Sequence, residues 1–287
     1  MNRRAAVTAI TAGAGLIRPL SITATAGLLR PLRGGERIKQ SVCRWPYGKV
    51  PLEDLCRDAK AMGLRSVELL SEPDWPIVKR FGLTCAMANG PTTIPVGWNR
   101  PDQHDRLVAE SERLLPIVAE HGFPNMIVFS GNRGGLSDAD GVENCARGLR
   151  RVTPLAERLG VTVCMELLNS KVDHADYQCD RTPWGVELVK RVDSPRFRLL
   201  YDIYHMQIME GDVIRTIRDN FPFIAHFHTG GVPGRHELDE TQELYYPAIM
   251  DAIADLGFAG HVAQEFIPSE GRDPMASLRH GVQVCDV

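Results

Sequence analysis

The sequence lacks the signatures of several large protein classes, and each absence narrows the choice of function. None of the seven cysteines forms a Cys-x-x-Cys pair, so a zinc ribbon and a thioredoxin-type redox motif are not expected. Basic residues do not outnumber acidic ones: the net charge is −3 and the pI is about 6.3. This balance disfavours a surface built to bind nucleic-acid phosphates. The glycine motifs of dinucleotide-binding and phosphate-binding loops are also missing.

The body of the chain has no apolar run long enough to span a bilayer. Hydrophobic residues make up 44% of the sequence and charged residues 24%, which is typical of a globular protein. An odd number of cysteines spread over 287 residues is not a disulfide framework, and Cys43, Cys85 and Cys164 are predicted to be small core residues. The length fits one large α/β barrel or two ordinary domains.

Residues 1–37 differ in composition from the rest of the chain. Arg3 and Arg4 precede a weakly apolar stretch, AAVTAITAGAGLI, which is followed by the small residues of 24–26. This order resembles a twin-arginine export signal and predicts a periplasmic protein. The alternative is a disordered extension on a cytoplasmic protein. The remaining residues, 38–287, are predicted to form one domain.

Eight apolar segments after residue 37 are predicted to be strands, and helix-like segments alternate with them. The predicted strands are 38–45, 64–70, 83–88, 125–130, 161–167, 198–203, 223–228 and 261–267. One long helix is predicted over 138–159. Eight such units in about 250 residues favour a single (β/α)₈ TIM barrel over a doubly wound open sheet, because functional side chains lie at the ends of many different strands.

Four of the predicted strands end on a side chain that binds metals. Glu166, Asp202, His228 and Glu265 are separated by 36, 26 and 37 residues, about one strand and one helix each time. In a parallel barrel these ends meet at one rim. Three carboxylates and one imidazole favour Mg²⁺ or Mn²⁺, with Co²⁺ as a further option, over structural zinc. Helix caps and salt-bridge partners are the alternative roles for any one of them.

Other residues are candidates for the same pocket. His226 is expected to be a hydrogen-bonded residue of the barrel interior, and His205 a substrate contact or a proton relay. Arg235, on a glycine-rich loop, suits a substrate carboxylate or phosphate because its guanidinium binds two oxygens at once. Glu68 is expected to orient a ligand. Further candidates for the pocket wall are Lys171, Trp45, Trp75 and Trp98.

Several motifs match one family. The segments KQSVCRW, GLRSVELL, DIYHMQIMEGD, HFHTGGVPGRHE and HVAQEF resemble the hydroxypyruvate isomerase family, over about residues 38–283. That family belongs to the xylose isomerase-like TIM barrels, with sugar epimerases and an endonuclease family. The resemblance implies a TIM barrel and a metal-dependent isomerase that converts hydroxypyruvate to 2-hydroxy-3-oxopropanoate (tartronate semialdehyde) through an enediolate.

The resemblance also assigns roles to residues. It implies metal ligands at Glu166, Asp202, His228 and Glu265, substrate contacts at His205 and Arg235, and an acid/base pair of Glu166 and Glu265. His228 departs from the glutamine expected in the hydroxypyruvate isomerases and fits the ketose epimerases instead. The exported-looking N-terminus also departs from a cytoplasmic enzyme.

Two alternatives therefore stay open beside the isomerase. One is a ketose 3-epimerase or another sugar isomerase of the same fold. The other is a non-catalytic envelope protein that binds a sugar or a metal. The expected partner is a small hydroxy-keto acid or sugar, without nucleic acid and without a membrane span, and a homo-oligomer is compatible with the sequence.

Overall fold

Parallel strands alternate with helices throughout the computed structural model, which describes residues 37–287. The strands are β1 Lys39–Cys43, β2 Ser66–Glu68, β3 Asn125–Val128, β4 Thr162–Glu166, β5 Phe197–Asp202, β6 Ile224–Thr229 and β7 His261–Gln264. They form one sheet in the order β2-β1-β7-β6-β5-β4-β3, and every neighbouring pair is parallel.

Nine of the helices in the described residues lie between these strands in sequence, and the last one follows β7. The helices are α1 Leu52–Ala61, α2 Trp75–Arg80, α3 His104–Glu120, α4 Asp138–Leu149, α5 Thr153–Leu159, α6 Thr182–Val192, α7 Ile203–Met209, α8 Val213–Asn220, α9 Tyr246–Asp255 and α10 Pro274–Val284. Among the helices of residues 37–287, none combines the length and the apolar character needed to cross a bilayer.

The segment predicted as the third strand, 83–88, closes the barrel without being a regular strand. Ala88 makes isolated parallel bridges to Leu70 on one side and to Met126 on the other. The sheet edges at β2 and β3 are therefore joined through this segment, as a (β/α)₈ barrel requires. The prediction of a TIM barrel is confirmed, but the prediction of a continuous strand at 83–88 is wrong.

Side chains explain the irregular third strand. The backbone N–H of Ala86 donates to Ser66 Oγ at 2.8 Å, and the backbone carbonyl of Ala86 accepts from Asn125 Nδ2 at 2.8 Å. Both polar groups of this residue are thus satisfied by side chains instead of by the neighbouring strands. The regular ladder is interrupted at this point.

The single helix predicted over 138–159 is also wrong, because the chain forms α4 and α5 with a break at residues 150–152. Pro154 lies in the first turn of α5. A proline inside a continuous helix would lack its hydrogen bond and would clash with the carbonyl of Arg150. At the start of a new helix the proline carries neither cost.

Helix α7 follows β5 directly and was not predicted. Asp202 ends the strand and caps the helix, because its carboxylate accepts a hydrogen bond from the backbone N–H of His205 at 3.1 Å. The strand-to-helix turn therefore brings both residues to the same rim of the barrel.

The barrel interior supplies an apolar floor for that rim. Cys164 and Leu200 precede Glu166 and Asp202 by two residues, so they point to the same face of their strands. They form, with Met87 and Ile127, a small buried cluster separate from the main core. Glu166 and Asp202 therefore lie above apolar side chains of the barrel interior.

Two tryptophans predicted as candidates for a pocket wall belong to the core instead. Trp75 is 1% exposed and packs edge-on against Phe123, while Trp98 is fully buried beside His104. Large aromatic side chains bury enough apolar area to be recruited between the helices and the sheet. Trp45 alone of the three stays partly exposed, at 45%.

Candidate active site

The four side chains predicted as metal ligands meet at the C-terminal rim of the barrel. Glu166 and Asp202 end β4 and β5, His228 lies near the end of β6, and Glu265 follows β7. All four are buried, and one ligand atom of each lies within 4.8 Å of the others. The strand register accounts for the convergence, since Asp202 pairs directly with His228 across β5 and β6.

Glu265 is placed slightly differently from the prediction. The last strand was predicted over 261–267, but β7 ends at Gln264. The backbone N–H of Glu265 still donates to the carbonyl of Thr229 at 3.1 Å. This bond continues the sheet pattern for one residue and keeps the side chain at the rim.

The chemistry of the four side chains fits a divalent cation. Mg²⁺ bound by six oxygens at about 2.1 Å separates opposite ligands by about 4.2 Å, so ligand atoms that lie within 4.8 Å of one another are close enough to share such an ion. Three carboxylates and the single guanidinium of Arg235 in contact with them leave two negative charges in excess when the carboxylates are ionised and His228 is neutral, as a metal-binding imidazole must be. A divalent ion balances that excess, and the oxygen-rich set suits Mg²⁺ or Mn²⁺.

Without such a cation, burial disfavours the charged form of these carboxylates. Burial raises the pKa of Glu166 and raises that of Asp202 well above its ordinary value. Burial also opposes ionisation of Glu265, but His228, Arg235 and the indole of Trp45 outweigh it and hold its pKa well below the usual range. The cluster therefore holds buried negative charge that a bound cation would neutralise.

His228 joins the rim to a second acidic group beneath it. Its Nδ1 lies 2.8 Å from Glu265 Oε2 and 3.2 Å from Glu166 Oε1, and its Nε2 lies 3.1 Å from Glu68 Oε1. Burial opposes a charge on this imidazole, but the acidic groups around it, including Cys43 and Glu265, raise its pKa well above the ordinary value. An Nε2–H donated to Glu68 leaves Nδ1 directed at the rim.

Glu68 occupies the orienting position that the sequence predicted for it. The residue is fully buried at the end of β2, and its Oε1 also lies 2.7 Å from Nε2 of His226. Burial opposes ionisation, but the two imidazoles hold the pKa of Glu68 well below its usual range. His226 is thus a hydrogen-bonded residue of the barrel interior, as expected.

Arg235 lies over the rim on the loop after β6. Its terminal nitrogen is 2.5 Å from Glu265 Oε2 and 3.2 Å from Asp202 Oδ2. The guanidinium also lies over the rings of Trp45 and Tyr204, 5.1 and 5.3 Å from their centres. Its Nε is buried without a hydrogen-bond partner, so the group keeps a donor for a ligand oxygen.

His205 lies beside Asp202 at the start of α7 and is fully buried. Its Nε2 is 3.6 Å from Asp202 Oδ2, and its Nδ1 is 2.7 Å from the side-chain amide of Asn169. Burial, reinforced by the charge of Arg235, lowers the pKa of His205 well below its ordinary value. The imidazole is therefore neutral at physiological pH.

Sequence reasoning assigned three residues incompletely. The indole N–H of Trp45 donates to Glu265 Oε1 at 2.7 Å, a role beyond that of a pocket wall. The thiol of Cys43, expected to be an ordinary core residue, lies 3.7 Å from His228 Nε2. Asn169 was not singled out at all. Trp45 and Cys43 share one sequence signal with the other site residues, because each lies at or just after a strand end.

Lys171 does not line the pocket as the sequence suggested it would. Its ammonium donates to the backbone carbonyls of Ile208 and Met209, at 2.8 and 3.0 Å. These carbonyls belong to the last turn of α7, where a cation complements the helix dipole. The lysine therefore stabilises the end of the helix that carries His205.

Comparison with known proteins finds a family model, described as a xylose isomerase-like TIM barrel, that matches residues 56–286. A putative hydroxypyruvate isomerase of Homo sapiens is 24% identical over 229 residues, which cover 78% of this chain and 77% of the relative. A 2-oxo-tetronate isomerase of Cupriavidus necator is 36% identical over 112 residues, which cover 39% of this chain and 42% of the relative.

Solved structures show the same fold. An AP endonuclease, family 2, from Brucella melitensis superposes on this chain with a TM-score of 0.75 and 25% sequence identity. The match covers 84% of this chain and 97% of the endonuclease chain. A D-psicose 3-epimerase with D-tagatose, from Clostridium cellulolyticum H10, superposes with a TM-score of 0.71 and 19% sequence identity. That match covers 87% of this chain and 100% of the epimerase chain.

Proposed function

The chain belongs to the xylose isomerase-like TIM barrel family, and from that premise we propose that it is a metal-dependent isomerase of a small hydroxy-keto acid. The favoured reaction interconverts hydroxypyruvate and 2-hydroxy-3-oxopropanoate. The observation that carries the proposal is the buried cluster of Glu166, Asp202, His228 and Glu265 with Arg235 in contact with two of its carboxylates. Relatives named as isomerases of hydroxypyruvate and 2-oxo-tetronate support it.

The reaction needs no oxidant or reductant. One proton leaves C3 of hydroxypyruvate and one is added at C2, while a hydroxyl proton moves from the oxygen on C3 to the oxygen on C2. Mg²⁺ or Mn²⁺, held by the four side chains, would acidify the C–H bond beside the carbonyl and stabilise the enediolate. The work left to the protein is to bind the substrate and to carry the proton.

Two carboxylates are proposed to carry that proton. Glu166 Oε1 and Glu265 Oε2 lie 3.2 and 2.8 Å from the same nitrogen of His228, so both carboxylates border the same part of the rim. Trp45 holds Oε1 of Glu265, which leaves Oε2 facing the cluster. Both glutamates are also proposed to bind the ion, which lowers their basicity, so the acidified C–H bond has to compensate for the weaker base.

Arg235 is proposed to bind the substrate carboxylate. The guanidinium is fixed by the two aromatic rings and by contacts through one terminal nitrogen, whereas the buried Nε has no partner. A carboxylate accepts hydrogen bonds from two guanidinium nitrogens at once, which a lysine cannot reproduce. This residue would therefore select an acid over a neutral sugar.

A ketose 3-epimerase is the second candidate. It is favoured by His228, where the hydroxypyruvate isomerases are expected to have glutamine, and by the fold shared with a D-psicose 3-epimerase. An epimerase returns the proton to the opposite face of the same carbon, so the same carboxylate pair would serve both reactions. The two candidates differ in whether the substrate carries a carboxylate.

A substrate panel with matched variants tests the proposal. Hydroxypyruvate, 2-oxo-tetronate and neutral ketoses are incubated with the protein and Mg²⁺ or Mn²⁺, and the products are followed by NMR. Arg235→Lys should lower kcat/KM for hydroxypyruvate by about 10- to 100-fold, because a bidentate charged contact is lost. Equal activity of wild type and variant on hydroxypyruvate would contradict carboxylate recognition, and activity on ketoses alone would favour the epimerase.

A further inference from the structure

A buried amide beside His205 fixes which nitrogen of that imidazole carries the proton. The backbone N–H groups of Val172 and Asp173 both donate to Oδ1 of Asn169, at 3.0 and 2.9 Å. The amide nitrogen therefore points the other way, 2.6 Å from Asp173 Oδ2 and 2.7 Å from His205 Nδ1. A half-turn of the amide would set Oδ1 against a carboxylate and Nδ2 against two N–H donors, so only one orientation is satisfied.

The tautomer of His205 follows from this orientation. An amide nitrogen only donates, so Nδ1 of His205 must accept, and the hydrogen of the neutral ring lies on Nε2. Nε2 is buried and has no hydrogen-bond partner. Asp202 Oδ2 lies 3.6 Å from it, beyond a normal hydrogen bond.

A second unpaired donor belongs to a residue that contacts the same carboxylate. Nε of Arg235 is also buried without a partner, and a terminal nitrogen of this guanidinium is 3.2 Å from Asp202 Oδ2. His205 and Arg235 therefore both lie within 3.6 Å of one oxygen of Asp202, and each keeps one buried N–H without a partner. Buried donors without partners are uncommon and are readily satisfied by a ligand that brings acceptors.

We propose that Asn169 is a positioning residue that holds His205 as the Nε2–H tautomer, so that His205 donates a hydrogen bond to a substrate oxygen instead of removing a proton. With Arg235, the pocket then presents two N–H donors, which suits adjacent keto and carboxylate oxygens of a 2-oxo acid. The substrate class rests on the proposed function, whereas the tautomer rests on the hydrogen bonds of Asn169 alone.

The tautomer is measured directly by ¹⁵N NMR of the ring nitrogens. The full chain has nine histidines; they are labelled selectively, and the signals of His205 are identified by their loss in His205→Gln. In the wild-type protein with Mg²⁺ we expect a bare Nδ1 and a protonated Nε2 at His205. A protonated Nδ1 would overturn the proposal, and this result needs no further variant to fold.

Substitutions at two residues near His205 test whether the amide of Asn169 or the carboxylate of Asp173 sets the tautomer. Asn169→Asp replaces the donor with an acceptor, so Nδ1 should gain a proton and kcat/KM should fall by about 10- to 100-fold. Asp173→Asn is the matched control: it removes the carboxylate 4.0 Å from Nδ1 but keeps the amide of Asn169, so Nδ1 should stay bare. A bare Nδ1 in the first variant, or a change of tautomer in the second, would refute the role of Asn169.

The spectrum also distinguishes this inference from the proposed function. If His205 has the expected tautomer but no substrate of the panel reacts, the proposed reaction is wrong and the positioning by Asn169 still holds. If the wild-type protein isomerises hydroxypyruvate but Nδ1 is protonated, the reaction stands and the role of Asn169 is wrong.

Discussion

Glu68 offers the sharpest test of how the barrel interior supports the rim. Glu68→Gln keeps the shape of the side chain but removes its charge and replaces one acceptor oxygen with a donor. Oε1 of Glu68 serves two imidazoles, at 2.7 Å from His226 and 3.1 Å from His228. A glutamine in this place has one oxygen, and the shorter contact shows that His226 is the closer competitor for it.

The expected loss of Mn²⁺ affinity follows from the hydrogen bond between Glu68 and His228. A hydrogen bond to a charged group contributes about 1.5–3 kcal/mol, and Glu68 is fully buried, so water does not replace the lost contact at His228. Residues that orient a metal-binding histidine typically change metal affinity by about 10- to 100-fold, or about 1.4–2.7 kcal/mol. The two estimates agree, and we expect Glu68→Gln to weaken Mn²⁺ binding within that range.

Calorimetric titration with Mn²⁺ measures the effect, and Glu237→Gln is the matched control. Glu237 is also buried, at 2% exposure, but it accepts hydrogen bonds from Ser269 and Ser277. Its substitution should lower the melting temperature without a comparable loss of Mn²⁺ affinity. Unchanged Mn²⁺ binding in Glu68→Gln would show that Glu68 does not position His228, and the account of the barrel interior would be wrong.

Three further predictions concern the rim, the ion and the N-terminus. Trp45→Phe keeps the ring but removes the N–H donated to Glu265, so kcat should fall by about 10-fold or more in steady-state assays, while an unchanged kcat would show that the indole does not orient this carboxylate. Removing the ion with a chelator should lower the melting temperature, because an ion present at 100 times its Kd adds about 2.7 kcal/mol of stability, and identical melting curves would refute a metal site. Replacing Arg3 and Arg4, which lie outside the described residues, with lysine should retain the protein in the cytoplasm in fractionation experiments, if the twin-arginine interpretation is correct, whereas normal export would contradict it.

The sequence predicted the barrel because strand ends and helix patterns are local signals. Each of Glu166, Asp202 and His228 ends an apolar segment of the length of a strand, and parallel strands that close into a barrel bring such ends together. The irregular segment 83–88 was not foreseen, because its ladder is interrupted by long-range bonds from Ser66 and Asn125, which no local pattern reveals.

The candidate site was also predicted in part. Residues at the ends of strands were predicted from the sequence. Asn169 was missed because its contact is with His205, 36 positions away in the sequence. Trp45 was assigned to the pocket wall because only the fold reveals its bond to Glu265, 220 positions away. The split of the helix over 138–159 was visible in the sequence as Pro154, whose effect on a continuous helix is local.

The central claim is that the four rim side chains hold a divalent ion and that two of them move a proton. Solvent deuterium uptake by hydroxypyruvate, followed by NMR in D₂O, tests this claim most directly. We expect uptake with Mg²⁺ or Mn²⁺, none after chelation, and loss of uptake in Glu166→Gln and Glu265→Gln. Uptake that persists in the chelated protein, or at the wild-type rate in both variants, would contradict the account.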